Sequence, residues 1–303
     1  MLGAVGLLSG GVLLFGGIGG VAQCLVVGKT LSITTRNATF QQWLAALTNR
    51  AKRGQLGEFV VQGVRPISLA VEHGWPIRAL LFPAHRALSG WARDILDRAG
   101  AAARYALAPE LLHELGGKDD EIPELLAVVE MPGDDLSRIA AGPGMLTMLF
   151  DRPATPGNIG TLIRSADAFG ASGVVITGHA ADPYDPRAVR ASTGSIFAVP
   201  VVRAASHREV VDWADSRRAE GVAVSLVGTD EHGDEEIAEH DLTGPTIIAI
   251  GNETRGLSAG LRQACDHILR IPIGGSASSL NAAAAGTVVL YEAARQRGRV
   301  PVR

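Results

Sequence analysis

Cysteine is almost absent from this 303-residue chain, which has only Cys24 and Cys265. The two stand far apart with no histidine in a ligand pattern nearby, which argues against a disulfide framework and a structural zinc site. The eight histidines show no metal-ligand spacing either, so no metal is expected. A bulk positive charge is also lacking, since the formal net charge is −3. Any contact with nucleic acid must therefore come from a local patch. No P-loop occurs, and no G-x-G-x-x-G follows a strand, which removes support for nucleotide hydrolysis and dinucleotide binding. No G-x-S-x-G elbow with histidine and acid partners in order supports an α/β hydrolase.

What the chain does have is apolar content of 47% against 19% charged, the balance of a globular protein. Thirty-seven glycines fit a fold with many tight loops. The length suits one large domain or two ordinary ones. Residues 1–28 carry no charged side chain and include nine glycines. A stretch of that length could cross a bilayer, but glycine forms helices poorly, and the pattern beyond is expected to fold without it. Residues 1–30 are therefore set aside as an apolar leader, with no membrane role expected.

Residues 31–118 alternate between helical and strand patterns, as in a small α/β domain. Helical spacing covers 39–51, 65–73 and 91–98, and strands are expected at 59–63 and 77–82. Arg36, Arg50, Lys52, Arg53 and Arg65 face a single acid, Glu58, in this region. Such a cluster is either a solvated helix face or a phosphate-contacting patch. Residues 119–144 are dominated by turn residues around one apolar run, 125–129, and form the expected linker.

From residue 145 to 303 the pattern is strongly α/β, with strands expected at 145–150, 173–177, 199–202 and 223–227. Helices are expected at 158–169, 208–219 and 282–297. Two later segments share one grammar: an apolar run, a Gly-bearing polar loop, then a helix. One runs through Ile250, Gly251, Asn252, Glu253 and Gly256, the other through Ile271, Ser279, Leu280 and Asn281. Uninterrupted apolar runs suit buried parallel strands, whose ligands sit at the carboxyl ends. Two such loops side by side would make one pocket.

A third loop precedes them, from Thr155 to Arg164, and Asn158 is expected to cap its helix. Arg164 lies six residues further on, about 120° round the helix, within reach of the same pocket. The segment 182–195 holds Arg187 and Arg190 among serines and threonines, suited to phosphate or to ordinary turns. Glu253 can serve as a general acid–base or accept backbone N–H groups. Ser279 and Asn281 can cap the last helix or meet substrate.

Taken together, Asn158 with Arg164, Gly251-Asn252-Glu253 with Gly256, and Ile271 with Ser279-Leu280-Asn281 resemble the three motifs of the SpoU/TrmH family of RNA ribose 2′-O-methyltransferases, in the SPOUT superfamily. The resemblance implies an α/β catalytic domain with a parallel sheet and a C-terminal trefoil knot, preceded by a small α/β domain that binds the RNA substrate. It also implies S-adenosyl-L-methionine as cofactor, near Gly251, Gly256, Ile271 and Leu280. A homodimer acting on ribosomal or transfer RNA in the cytoplasm is implied as well. Arg164 matches the family arginine tied to the ribose hydroxyl. A guanidinium is a poor base, so orienting the ribose–phosphate is the preferred role. Asn158, Glu253, Ser279 and Asn281 would shape the pocket, and Arg190 is a second phosphate candidate. The chain departs from the family pattern at Ala282-Ala283 and at Ala154-Thr155. A knotted RNA-binding module without turnover, acting in ribosome assembly, is the alternative.

Overall fold

The computed structural model describes residues 29–116 and 122–298. The leader 1–28 lies outside the described residues. Among those described, no helix is long and apolar enough to cross a membrane.

The first unit runs β1 (Thr30–Ile33), α1 (Ala38–Thr48), α2 (Arg50–Leu56), β2 (Glu58–Gln62), α3 (Val64–Glu72), β3 (Ile77–Pro83), α4 (Gly90–Arg98), β4 (Ala103–Leu107), α5 (Pro109–Gly116) and β5 (Leu126–Glu130). Its five strands lie in the order β1-β4-β3-β5-β2. Only β5 is antiparallel to its neighbours, β3 and β2. The apolar run expected inside a linker is therefore a buried interior strand of this sheet. The single helix expected over 39–51 is two helices. Asn49 adopts an extended backbone, and its side chain accepts the N–H groups of Ala51 and Lys52. That cap starts a new helix where the periodicity alone runs on.

The second unit runs β6 (Leu146–Asp151), α6 (Pro156–Ala168), β7 (Gly173–Thr177), α7 (Pro186–Ser192), β8 (Val201–Ala204), α8 (His207–Ala219), β9 (Ser225–Thr229), β10 (Glu235–Glu236), β11 (Thr246–Ile250), α9 (Ala259–Ala264), β12 (His267–Arg270) and α10 (Ala282–Gln296). Its seven strands are all parallel, in the order β10-β12-β9-β11-β6-β7-β8. The central strands β6, β7 and β11 are buried along their whole length. This matches their uninterrupted apolar sequence.

Apolar residues of both units merge into one core. Phe59 and Ile67 pack with Tyr184, Ile196 and Phe197. The rings of Phe59 and Tyr184 lie 4.9 Å apart, and the Trp75 indole donates to the Phe197 carbonyl at 3.0 Å. Arg53 belongs to this junction. It is 3% exposed, pairs with Asp182 at 2.8 Å, and donates to the Ala46 and Leu47 carbonyls. A guanidinium committed in this way cannot offer itself to a phosphate, which corrects the RNA-binding expectation for Arg53. Arg50 also turns to the junction, donating to the Ala180 carbonyl at 2.6 Å. Lys52 and Arg190 stay exposed, while Arg36 is exposed but paired with Glu114 at 3.0 Å.

Candidate active site

Because β6, β9, β11 and β12 are parallel, the loops that follow them open at one edge of the sheet. That carboxyl edge is where ligands bind in sheets of this type. The loop after β11 is folded back on itself. Asn252 and Gly256 exchange two backbone hydrogen bonds of 3.0 Å, and Gly256 holds φ +63°. The Asn252 side-chain oxygen accepts the N–H groups of Thr254 and Arg255. At Gly251 an added Cβ would come within 2.3 Å of the Gly256 carbonyl carbon. Real side chains do not approach backbone so closely, so the fold-back requires glycine there.

The end of β6 secures this loop from below. Asp151 is 2% exposed, and its carboxylate accepts the Arg152 guanidinium, the Thr177 hydroxyl and the Ser258 N–H. Burial acts to raise its pKa, but Arg152 and Ser258 outweigh burial and hold it below the usual carboxylate range. Arg152 also reaches the Gly256 carbonyl, and the Asn252 amide donates to the Arg152 carbonyl at 2.7 Å. None of these roles was read from the sequence. The available signal was an aspartate as the last residue of an apolar strand, at the ligand-bearing edge.

A chain of side-chain hydrogen bonds ties all three motifs together. The Asn281 amide donates to Asn158 Oδ1 at 3.2 Å, and the Asn158 amide donates to Glu253 Oε1 at 3.0 Å. Glu253 also accepts the N–H groups of Ala154 at 2.9 Å and Thr155 at 3.0 Å. Burial pushes its pKa up, yet the N–H donors win and the carboxyl sits below its ordinary range. The Asn252 amide adds a longer contact at 3.4 Å, and a carboxylate held ionised by such donors is a poor proton carrier at neutral pH, so Glu253 is an anchor. Asn158 is not the helix cap expected from the sequence. Pro156 opens α6 with Thr155 at the cap position, because proline suits the first helical turn. This leaves the Asn158 side chain free to bridge. Asn281 does cap α10, accepting the N–H groups of Ala283 and Ala284.

The loops after β9, β11 and β12 wall a cavity of about 310 Å³, while Asn158 and Asn281 stand outside its lining. Gly251, Glu253, Gly256, Ile271, Ser279 and Leu280, all singled out in the sequence, line it together with Ile250 and Asn252. Asp230 and Glu231, at its rim after β9, were not anticipated. Asp230 is engaged by Arg262 at 2.6 Å. Arg164 is absent from the cavity wall. It lies on the exposed face of α6 with no hydrogen-bond or ion-pair partner among the described residues. Beside it, α6 meets α10 through the Ser165 and Thr287 hydroxyls at 2.7 Å.

Comparison with known proteins bears directly on this arrangement. The family model described as SpoU L30e-like domain matches residues 37–127, and that of the SpoU rRNA Methylase family matches residues 145–291. A 23S rRNA (uridine(2479)-2′-O)-methyltransferase of Streptomyces viridochromogenes is 59% identical over 265 residues, covering 88% of this chain and 92% of its own. The crystal structure of the SpoU methyltransferase AviRb from Streptomyces viridochromogenes, in complex with AdoMet, superposes with a TM-score of 0.81 at 58% identity, over 86% of this chain and 98% of that one. An AdoMet-bound rRNA methyltransferase from Sinorhizobium meliloti gives 0.78 at 28% identity, over 88% and 98%. The chain belongs to the SpoU rRNA methylase family, and it is an S-adenosyl-L-methionine-dependent RNA ribose 2′-O-methyltransferase.

Proposed function

We propose that the protein methylates the ribose of a uridine in 23S rRNA, and that it does so as a homodimer. The choice of ribosomal over transfer RNA follows the named activity of the Streptomyces viridochromogenes relative, and it carries a cytoplasmic location with it. The observation that bears most weight is that the second and third motif loops wall one cavity, and that Asn158 of the first motif ties them together through Asn281 and Glu253. So organised a pocket favours an enzyme over a binding module without turnover.

The cavity suits S-adenosyl-L-methionine. Its volume is at the lower end of the range for small-molecule sites. Ile250, Ile271 and Leu280 offer apolar surface, and the glycine-tight backbone at Gly251 admits a close ligand. Gly251, Gly256, Ile271 and Leu280 would hold the cofactor, which when bound supplies a methyl group on a sulfonium, already a good leaving group. The remaining work for the protein is alignment of the ribose hydroxyl and support of the charge that grows on its oxygen. We assign that support to Arg164, with Ser279 contacting the RNA at the cavity mouth and the ribose proton passing to phosphate or water. Lys52, Arg65 and Arg190 are exposed cations that can grip phosphates further out.

The outward position of Arg164 suits a shared active site. Leu280, Val288 and Tyr291 present exposed apolar surface in or just before α10, and we infer that a second copy docks there, carrying its own Arg164 to the first copy's cavity. The threading of the segment after β12 into a trefoil knot belongs to the same proposal.

Two experiments test this reading. Purified protein and radiolabelled cofactor, given unmodified 23S rRNA, should yield 2′-O-methyluridine on nucleoside mass spectrometry. Label on transfer RNA alone would overturn the substrate assignment. Mixing an Arg164→Ala protomer with a Gly251→Val protomer should restore activity that neither has alone, since one cavity in the mixed dimer then has both parts. A mixture as inactive as its components would place Arg164 in service of its own cavity.

A further inference from the structure

The sequence suggested no metal site, because the histidines are irregularly spaced. The fold nevertheless gathers two of them with a carboxylate at the edge of the catalytic sheet. Glu235 lies in the edge strand β10, His240 in the loop after it, and His267 at the start of the neighbouring β12. One donor atom from each lies within 4.8 Å of the others. Glu235 Oε2 and His240 Nδ1 are 2.8 Å apart, and the rings of His240 and His267 are 4.5 Å apart at 54°. We propose that Glu235, His240 and His267 bind a divalent transition-metal ion of the zinc class, completed by water.

The donor set carries this assignment. Two imidazoles and one carboxylate are borderline ligands that suit zinc rather than calcium or magnesium, which take oxygen donors. Zinc bonds of about 2.1 Å in a tetrahedron separate donor atoms by about 3.4 Å. The Glu235–His240 pair at 2.8 Å is shorter than that and no donor pair exceeds 4.8 Å, so the three donors lie within the range that one ion can draw together. His240 is the most enclosed of the three, with its side chain 12% exposed. Its backbone carbonyl accepts the Gln296 amide at 3.0 Å, near the end of α10. An ion here would fasten β10 to β12 and hold the loop against which the last helix ends. Thr229 to Glu231 lie just before β10 and Ile271 just after β12, and both segments line the cofactor cavity. The ion's role is thus structural support of the edge, outside the methyl-transfer chemistry.

The test uses the full chain, free of any affinity tag and stripped with chelator. Zinc titrated calorimetrically should bind at one ion per chain and raise the melting temperature. Cobalt in its place should give the visible absorption of a low-symmetry, nitrogen-ligated site. His267→Gln, at an exposed position, should weaken zinc binding by about tenfold or more and abolish the melting shift, while cofactor binding persists as proof of folding. The double variant His240→Asn/His267→Gln should bind no zinc at the same concentrations. Equal zinc binding by wild type and double variant, or no stoichiometric binding by the wild type, would overturn the proposal.

Discussion

Replacing Glu253 with glutamine removes one charge and almost no volume. The native carboxylate receives Ala154 N at 2.9 Å, and Thr155 N and Asn158 Nδ2 at 3.0 Å. Glutamine keeps one accepting oxygen, but its amide nitrogen only donates and would face another donor. Hydrogen bonds to a charged group contribute about 1.5–3 kcal/mol each where shielded. The side chain is only partly buried, and solvent screening reduces that contribution. The expected net loss is about 1–2 kcal/mol of folding stability at neutral pH. The pH dependence supplies the sharper test. The folded-state pKa of Glu253 is depressed, so its contribution is complete above the unfolded value of about 4.3 and is lost as pH falls through the folded value. Urea unfolding of wild type and Glu253→Gln should therefore differ at neutral pH and converge as the pH falls below the usual carboxylate range. No difference at neutral pH, or a gap that widens in acid, would refute the anchor role.

The same geometry sets two further expectations. Arg53→Met leaves Asp182, in the junction between the two units, with only Arg203 at 3.9 Å and the Tyr184 N–H, and breaking a buried pair from one side should cost about 3 kcal/mol by urea unfolding, the low end for such pairs. A loss as small as that of a surface substitution would contradict the structural role given to Arg53. Burial, reinforced by Asp266 and opposed by Arg262, pushes the Cys265 thiol up to about 12, so almost no thiolate exists at neutral pH. Iodoacetamide should modify Cys265 slowly in native protein and quickly in urea, as followed by peptide mass spectrometry. Equal rates would contradict that burial.

Much of the site was legible because it is local. The apolar run before Gly251 marked β11, while the run beginning at Ile271 looked like a second strand although β12 ends at Arg270 just before it; the cavity nevertheless joins the two following loops. What escaped were pairings distant in the chain. The apolar run at 125–129 looked like a strand, yet its place between β3 and β2 depends on antiparallel partners more than 40 residues upstream. Arg53 looked like part of a cationic face because its acid, Asp182, is 129 residues away. Asn158 looked like a cap until Pro156 moved the helix start back two residues. Glu235, His240 and His267 meet only because β10 and β12 pair at the sheet edge.

The claim on which the rest depends is that the fold-back at Gly251 builds the cofactor cavity. An alanine there must displace the Gly256 backbone, since its Cβ would stand 2.3 Å away. Overpacking of this kind costs about 1–3 kcal/mol, which corresponds to about 5–150-fold in affinity. Calorimetric titration of S-adenosyl-L-methionine into wild type and Gly251→Ala measures this directly. The expected result is clear binding by the wild type and binding at least about fivefold weaker in the variant. Unchanged affinity in the variant would mean that the cofactor sits elsewhere.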